Sequence, residues 1–210
     1  MTIIKGAKVS IRELARQDVD VMQNWGKHED PLFFHYNFPK LTAKEGDEWF
    51  RVKTAKLRKK CFAIENEAKR VVGYLSIRDI KWMKRDSELG IVLDPDYINY
   101  GYGTEAINLF LIYYFNQLKM SSIKLRTAKY NKRAIKCYLN CGFVTIKEAP
   151  DEFEDQYNEI FYNPLYRHLK HHFQIIGGKK MTEYLYMRIT KEEFQQKNNR
   201  LSTSAAVECE

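Results

Sequence analysis

Apolar and polar positions alternate over residues 8–14 (KVSIREL), the pattern of a strand with one buried face. The period then changes. Val19, Met22 and Trp25 recur at helical spacing, which predicts a helix over about residues 16–26. Neither period holds over residues 27–41, where Pro31 and Pro39 interrupt a run containing Phe33, Phe34, His35, Tyr36 and Phe38. This stretch reads as an aromatic loop that packs down or lines a pocket. Thr42 is placed to cap a second helix reaching about Lys59. Residues 61–65, 71–77 and 88–93 follow as short apolar runs separated by charged turns, the pattern of successive antiparallel strands.

Residues 104–119 (TEAINLFLIYYFNQLK) are apolar almost all round, as expected of a helix buried against a sheet. A strand over residues 123–127, a helix over 131–141 and a strand over 143–146 complete a βαβ arrangement, and residues 184–189 form a last strand. Together these predict a mixed α/β (α+β) fold in a single domain over residues 1–194. Two segments stand apart. One is an insertion at about residues 151–178, acidic at its start (DEFEDQYNE) and then aromatic and basic (FYNPLYRHLKHHF). The other is the stretch 195–210, whose polar composition predicts a disordered tail.

Composition narrows the setting. With 44% hydrophobic and 14% aromatic residues the chain can bury one substantial core. No run approaches the roughly 20 apolar residues of a membrane helix, and the opening segment has no secretory apolar region. Cys61, Cys137, Cys141 and Cys209 show no CxxC spacing, so reduced thiols and no disulfides are expected. These features predict a soluble, cytoplasmic protein with no membrane partner. The formal charge of +8 suits a nucleic acid, a membrane surface or a polyanionic ligand such as a nucleotide-bearing cofactor. Its cations are interleaved with acids rather than gathered in a basic tail, which reads as a solvated surface and gives no reason to expect DNA. An RNA- or ribosome-associated protein is a rival reading of the charge, but no aromatic-basic RNA motif accompanies it.

The most informative segment is 94–106 (DPDYINYGYGTEA), which sets Gly101 and Gly103 between an apolar strand and a buried helix. Glycines let the backbone turn sharply and approach a ligand, while the first free amides of the helix point outward at the positive end of its dipole. A pyrophosphate can be held there. A Gly-x-Gly pair alone also occurs in purely conformational turns. The second motif, residues 131–143 (NKRAIKCYLNCGF), has Asn131 at a helix start, Tyr138 two turns later on the same face and Gly142 at the helix stop.

In this order and on these elements, GYGTEA and NKRAIKCYLNCGF resemble the coenzyme-binding motifs of the GCN5-related N-acetyltransferase (GNAT) family, and the likeness extends less sharply over residues 9–189. The resemblance implies a central, mostly antiparallel mixed sheet of about seven strands flanked by helices. It also implies acetyl-CoA as co-substrate, with no metal, and direct attack of an amine on the thioester in a ternary complex. By position, the amides of Tyr100, Gly101, Tyr102, Gly103 and Thr104 would cradle the pyrophosphate, and Ile91, Val92 and Leu93 would pair with the pantetheine arm. Asn131 would meet the coenzyme and Tyr138 would protonate the leaving sulfur. Family members usually carry Arg or Gln three residues before the first glycine, where this chain has Ile98, so phosphate binding would rest on backbone amides with help from Lys132 or Arg133.

Alternatives remain at several positions. Asn131 also suits a helix cap, and Tyr138 an amphipathic core position. Glu88 is the candidate base or water-positioning residue, with Asp86 and the acidic run from Asp151 as others. Phe33, Phe34 and Tyr36 are candidate substrate-binding residues, since early loops usually shape the acceptor site in this family. The acceptor would be a cationic, amine-bearing small molecule or a protein N-terminus. Asp151, Glu152, Glu154, Asp155 and Glu159 would attract a cation or form a solvated loop. Cys137 with Cys141, and His168 with His171 and His172, have spacings that permit chelation but complete no four-ligand pattern. A non-catalytic acyl-CoA-binding module is the rival on the same fold, and a free strand edge near the C-terminus would allow a homodimer.

Overall fold

The computed structural model describes residues 3–54 and 57–207. Its elements are β1 (Ile3–Lys5), β2 (Val9–Glu13), α1 (Arg16–Met22), α2 (Ala43–Thr54), β3 (Lys60–Asn66), β4 (Val71–Lys81), β5 (Asp86–Leu93), α3 (Tyr102–Asn116) and β6 (Ser122–Ala128). Then come α4 (Lys132–Asn140), β7 (Val144–Glu152), β8 (Phe173–Ile176), β9 (Lys179–Thr190) and α5 (Lys191–Val207), with short 3-10 turns in the connections. One sheet runs β1-β2-β3-β4-β5-β6-β9-β7, with β8 also pairing β9. Every pairing is antiparallel except β5 with β6, which is parallel. The mixed α/β class is as expected. The sheet has nine strands rather than about seven, because β1 adds an opening hairpin onto β2 and β8 folds onto β9 within the insertion.

Alternation along the strands builds two apolar layers. Phe62, Ile64, Leu75, Ile77, Leu89 and Ile123 face α3, whose Ala106, Ile107, Phe110, Leu111, Tyr114 and Phe115 are fully buried against them. On the opposite face Cys61, Ala63 and Val71 meet Val19 and Met22 of α1, and Trp49 and Phe50 of α2 pack on this second layer with Tyr74 and Val92. Each large side chain buried this way contributes about 1.5–3 kcal/mol, whereas an exposed ion pair such as Arg51 with Glu48 contributes about 0–1. The two apolar layers therefore hold the fold.

Element ends follow local chemistry. α1 stops at Met22, short of Gly26, because Trp25 Nε1 donates to the Val71 carbonyl at 3.0 Å and the Gly26 amide donates to buried Asp94 at 2.9 Å. Thr42 and Glu45 form a capping box at the start of α2, as expected; the described helix runs to Thr54, and residues 57–59 are not helical, so it does not reach Lys59. A second capping box, Thr190 with Glu193, starts α5, and buried Phe194 ties that helix to the core. The helix runs from Lys191 to Val207 and so enters the stretch whose composition predicts a disordered tail. Cys61, Cys137 and Cys141 are free thiols, and Cys209 lies outside the described residues. β7 and β9 extend well past their expected ends to form an arm carrying the insertion at its tip. β9 is paired on both sides, so the free edge near the C-terminus belongs to β7. Among the described residues no helix is long and apolar enough to cross a membrane.

Candidate active site

β5 and β6 are paired over three residues only, Asp86 with Ser122 through Glu88 with Lys124. Beyond that point β6 continues beside β9 and β5 beside β4 as far as Leu93. The strands part, and a cavity of about 640 Å³ opens between them. Gly90, Ile91, Val92 and Leu93 line it from β5, so the backbone of this stretch presents unpaired donors and acceptors on the β6 side. Ser76 stands opposite Gly90 on β4, and a Cβ on Gly90 would come within 3.2 Å of its hydroxyl.

The turn after β5 is built on Asp94, which is fully buried and accepts from the amides of Gly26 and Asp96 and from Arg70. Asn99 and Gly101 both adopt the left-handed conformation, with φ of 69° and 85°, and Gly101 is the N-cap of α3. A side chain at Gly101 would be strained by its backbone and not by its neighbours. Gly101, Gly103 and Thr104 line the cavity. The side chains of Tyr100 and Tyr102 do not: Tyr100 is 57% exposed, and Tyr102 donates its hydroxyl to Glu67 at 2.9 Å. Any contribution from these two tyrosines is made by backbone amides. Ile98 lines the cavity and supplies no charge, but Lys8 Nζ donates to the Tyr100 carbonyl at 3.4 Å and brings a cation to the turn. Lys8 lies 92 residues from Tyr100 along the chain, so no local motif joins them.

α4 forms the opposite wall. Asn131 is buried and its Oδ1 accepts from the Ala134 amide at 3.1 Å, so the capping role is filled. Arg133, Ala134, Lys136 and Cys137 line the cavity, whereas Lys132 is exposed and lies off it. Tyr138 sits deep in the cavity at 8% exposure, edge-on to Phe143, and burial raises its phenol well above the ordinary value. It is therefore held protonated. Cys137, whose spacing from Cys141 suggests only chelation in the sequence, lies 3.3 Å from the Thr104 hydroxyl, and its thiol is lowered first by its hydrogen bond with Cys141.

The remaining wall comes from α2, β4 and the aromatic loop. Trp49, Lys53, Tyr74, Ser76 and Arg78 line it, together with Tyr36 and Phe38. Burial pushes the Tyr36 hydroxyl up to about 12. Phe33 and Phe34 do not line the cavity: Phe33 packs edge-on to Tyr130 and Phe34 to Tyr166, supporting the loop from behind. Glu88 faces the cavity and is ion-paired with Arg78 on the adjacent strand. Asp86 is engaged by Lys124 at 2.8 Å. The acidic run of the insertion is mostly committed within the arm. Asp151 pairs with Arg126 and Tyr186, Glu152 with Lys179 at 2.6 Å, and Asp155 accepts from Asn158 at 3.1 Å. Of these acids only Glu154 lines the cavity, 3.5 Å from Arg126. Among the described residues no three metal-ligating side chains gather.

Comparison with known proteins agrees with this geometry. The acetyltransferase (GNAT) domain family model matches residues 8–144. A curated spermidine N(1)-acetyltransferase from Vibrio cholerae is 24% identical over 147 residues, spanning 70% of this chain and 85% of the relative. The crystal structure of a Vibrio cholerae spermidine N-acetyltransferase in complex with CoA and spermine superposes with a TM-score of 0.68 at 21% identity, covering 90% of this chain and 99% of that one. A dodecameric structure of the Vibrio cholerae enzyme gives 0.64 at 21% identity over 90% and 97%. The strand parting, the left-handed turn and a family match over most of the chain converge: the protein belongs to the GNAT acetyltransferase family and is an acetyl-CoA-dependent N-acetyltransferase.

Proposed function

We propose that acetyl-CoA lies along the freed edge of β5, with its pyrophosphate on the turn at Gly101 to Thr104, and that the acetyl group passes directly to the primary amine of a small molecule entering from the α2 and β4 side. The observation that carries this reading is the parting of β5 from β6 beside the left-handed turn. The pantetheine amides would pair with Ile91 to Leu93 as a strand would, aligning the thioester for attack. The outward amides at the start of α3, with Lys8, Arg133 and Lys136 nearby, suit phosphate charge.

In this reading the amine nitrogen attacks the thioester carbon, and the carbonyl electron pair moves onto oxygen, where a β5 amide stabilises it. Collapse re-forms the carbonyl and breaks the carbon–sulfur bond. Tyr138 gives its proton to the departing sulfur, and the proton lost by nitrogen passes to Glu88 or to water. The products are the N-acetyl amine and free coenzyme thiol. The reading also takes the enzyme as cytoplasmic, and takes the β7 edge, with Val144 and Ile146 exposed, as the surface where a second copy pairs.

Thermal unfolding with acetyl-CoA, desulfo-CoA and ATP tests the coenzyme site. Both coenzyme forms are expected to raise Tm by mass action and ATP is not. Thiol release in the presence of primary amines, spermidine among them, then tests transfer. No rise in Tm at ligand concentrations of about 1 mM would overturn the proposal.

A further inference from the structure

The cavity is lined by Lys53, Arg78, Arg126, Arg133 and Lys136 against only two carboxylates, Glu88 and Glu154. Arg133 and Lys136 belong to α4, beside the phosphate-binding turn. Elsewhere each carboxylate already has a guanidinium partner: Glu88 pairs with Arg78, and Glu154 with Arg126, which also holds Asp151. Lys53 is the cation left over. Among the described residues no carboxylate is ion-paired with it; Glu154 acts on it only at longer range, and its ammonium stands 5.3 Å from the Trp49 ring centroid and 5.5 Å from that of Tyr74. Aromatic faces offset only part of the cost of drawing a cation out of water.

Strand alternation shows that the coenzyme phosphates are not the missing counter-charge. Tyr74 and Val92 are register partners on the face beneath α1 and α2, with Lys53 above them. Ile91, Leu93 and the turn that starts α3 belong to the other face. Lys53 therefore faces the acceptor rather than the phosphates. A polyamine would bring its further ammonium groups towards Lys53, Arg78 and Arg126, where the two lining carboxylates, Glu88 and Glu154, already face these cations.

We propose that the acceptor carries, besides its primary amine, an anionic group, carboxylate or phosphate, that binds Lys53 beside the rings of Trp49 and Tyr74. The inference rests on the acetyl-transfer reading above and adds the substrate class. Trp49, Tyr74 and Phe38 would enclose the apolar body of such a molecule, while the amine end points towards Glu88 and Tyr138.

Coenzyme thiol release measured on matched amines tests it: benzylamine against para-(aminomethyl)benzoate, ethanolamine against phosphoethanolamine, and spermidine as the polycation. At least one anionic member should exceed its neutral partner about tenfold or more in kcat/KM, and which pair responds separates carboxylate from phosphate. Lys53→Met should collapse that ratio by raising KM for the anionic amine, Lys53→Arg should keep it, and Lys53→Glu should shift preference to spermidine. The coenzyme-induced rise in Tm, measured on each variant, reports an intact fold and coenzyme site. Equal or better turnover of spermidine, an unchanged ratio in Lys53→Met, or coenzyme binding without turnover of either anionic amine would overturn the proposal while leaving the acetyl-transfer reading standing. Loss of coenzyme binding in the wild-type protein would overturn that reading itself.

Discussion

The two halves of the cavity are made of different material. The half proposed for the coenzyme is mostly backbone: the unpaired edge of β5, the left-handed Gly101 and the first amides of α3. The half proposed for the acceptor is mostly side chain, with Trp49 and Lys53 from α2, Tyr74 and Arg78 from β4, Arg126 from β6 and Glu154 from the insertion. A backbone site recognises what is common to every coenzyme molecule and tolerates change in side chains. A side-chain site can be rebuilt by substitution while the sheet beneath it stays the same.

Tyr138 sits where the halves meet, and its loss should have the largest effect. Tyr138→Phe keeps the ring against Phe143 and removes only the hydroxyl. If the phenol supplies the proton to sulfur, kcat should fall roughly 10²-fold, within the range for general acids, with little change in the Kd of desulfo-CoA. An unchanged kcat would assign that proton to water and return Tyr138 to a packing role.

The contrast between backbone and side chain has a direct test in the coenzyme half. A Cβ at Gly101 would find Lys8 Nζ no nearer than 3.6 Å, so Gly101→Val is strained by φ alone. About 1–2 kcal/mol of strain is enough to turn the peptide over and spoil the amide cradle, and the Kd for desulfo-CoA should rise about tenfold or more. Lys8→Ala removes an exposed cation at the same turn and should raise the Kd only about two- to fivefold, an effect that fades at high salt. The reverse order would show that charge, not backbone, holds the phosphates.

The same division explains what could be read from the sequence. A turn built on backbone needs glycines and a cap at fixed spacing, so the cavity-lining positions Gly101, Gly103, Asn131 and Tyr138 are legible in two short motifs. The two apolar layers were visible as well, since period-two and helical spacing survive in one dimension. The acceptor wall was not, because Trp49, Tyr74, Arg126 and Glu154 come together only through strand pairing and the packing of α2 on β4. Phe33 and Phe34 show the converse: aromatics in a loop of the right place turned away to prop Tyr130 and Tyr166. No local pattern points to Lys8, because the hairpin that delivers it lies far from the turn in sequence. The Thr190 and Glu193 cap that opens α5 lies ahead of the polar stretch and is written in sequence as a Thr and a Glu three residues apart.

A smaller and pH-dependent effect should mark the acceptor half. His28 lines the cavity between the rings of Phe33 and Tyr36, and burial lowers its pKa from 6.5 to about 4. Arg133 and His35 lower it further, and Asp30 opposes them. The imidazole is thus neutral in the folded protein at pH values where the unfolded chain already binds a proton. Its contribution to stability is complete above about pH 6.5 and is lost as the pH falls through about 4. For a half-buried ring the loss should be on the order of 1–2 kcal/mol after solvent screening. His28→Gln removes the titration and keeps a polar side chain, so its Tm should decline less between pH 6.5 and 4 than that of the wild type. Carboxylates titrate in both proteins, so the difference between the two curves isolates the imidazole. Parallel curves would mean that water reaches His28 freely and that this side of the acceptor half is open to solvent.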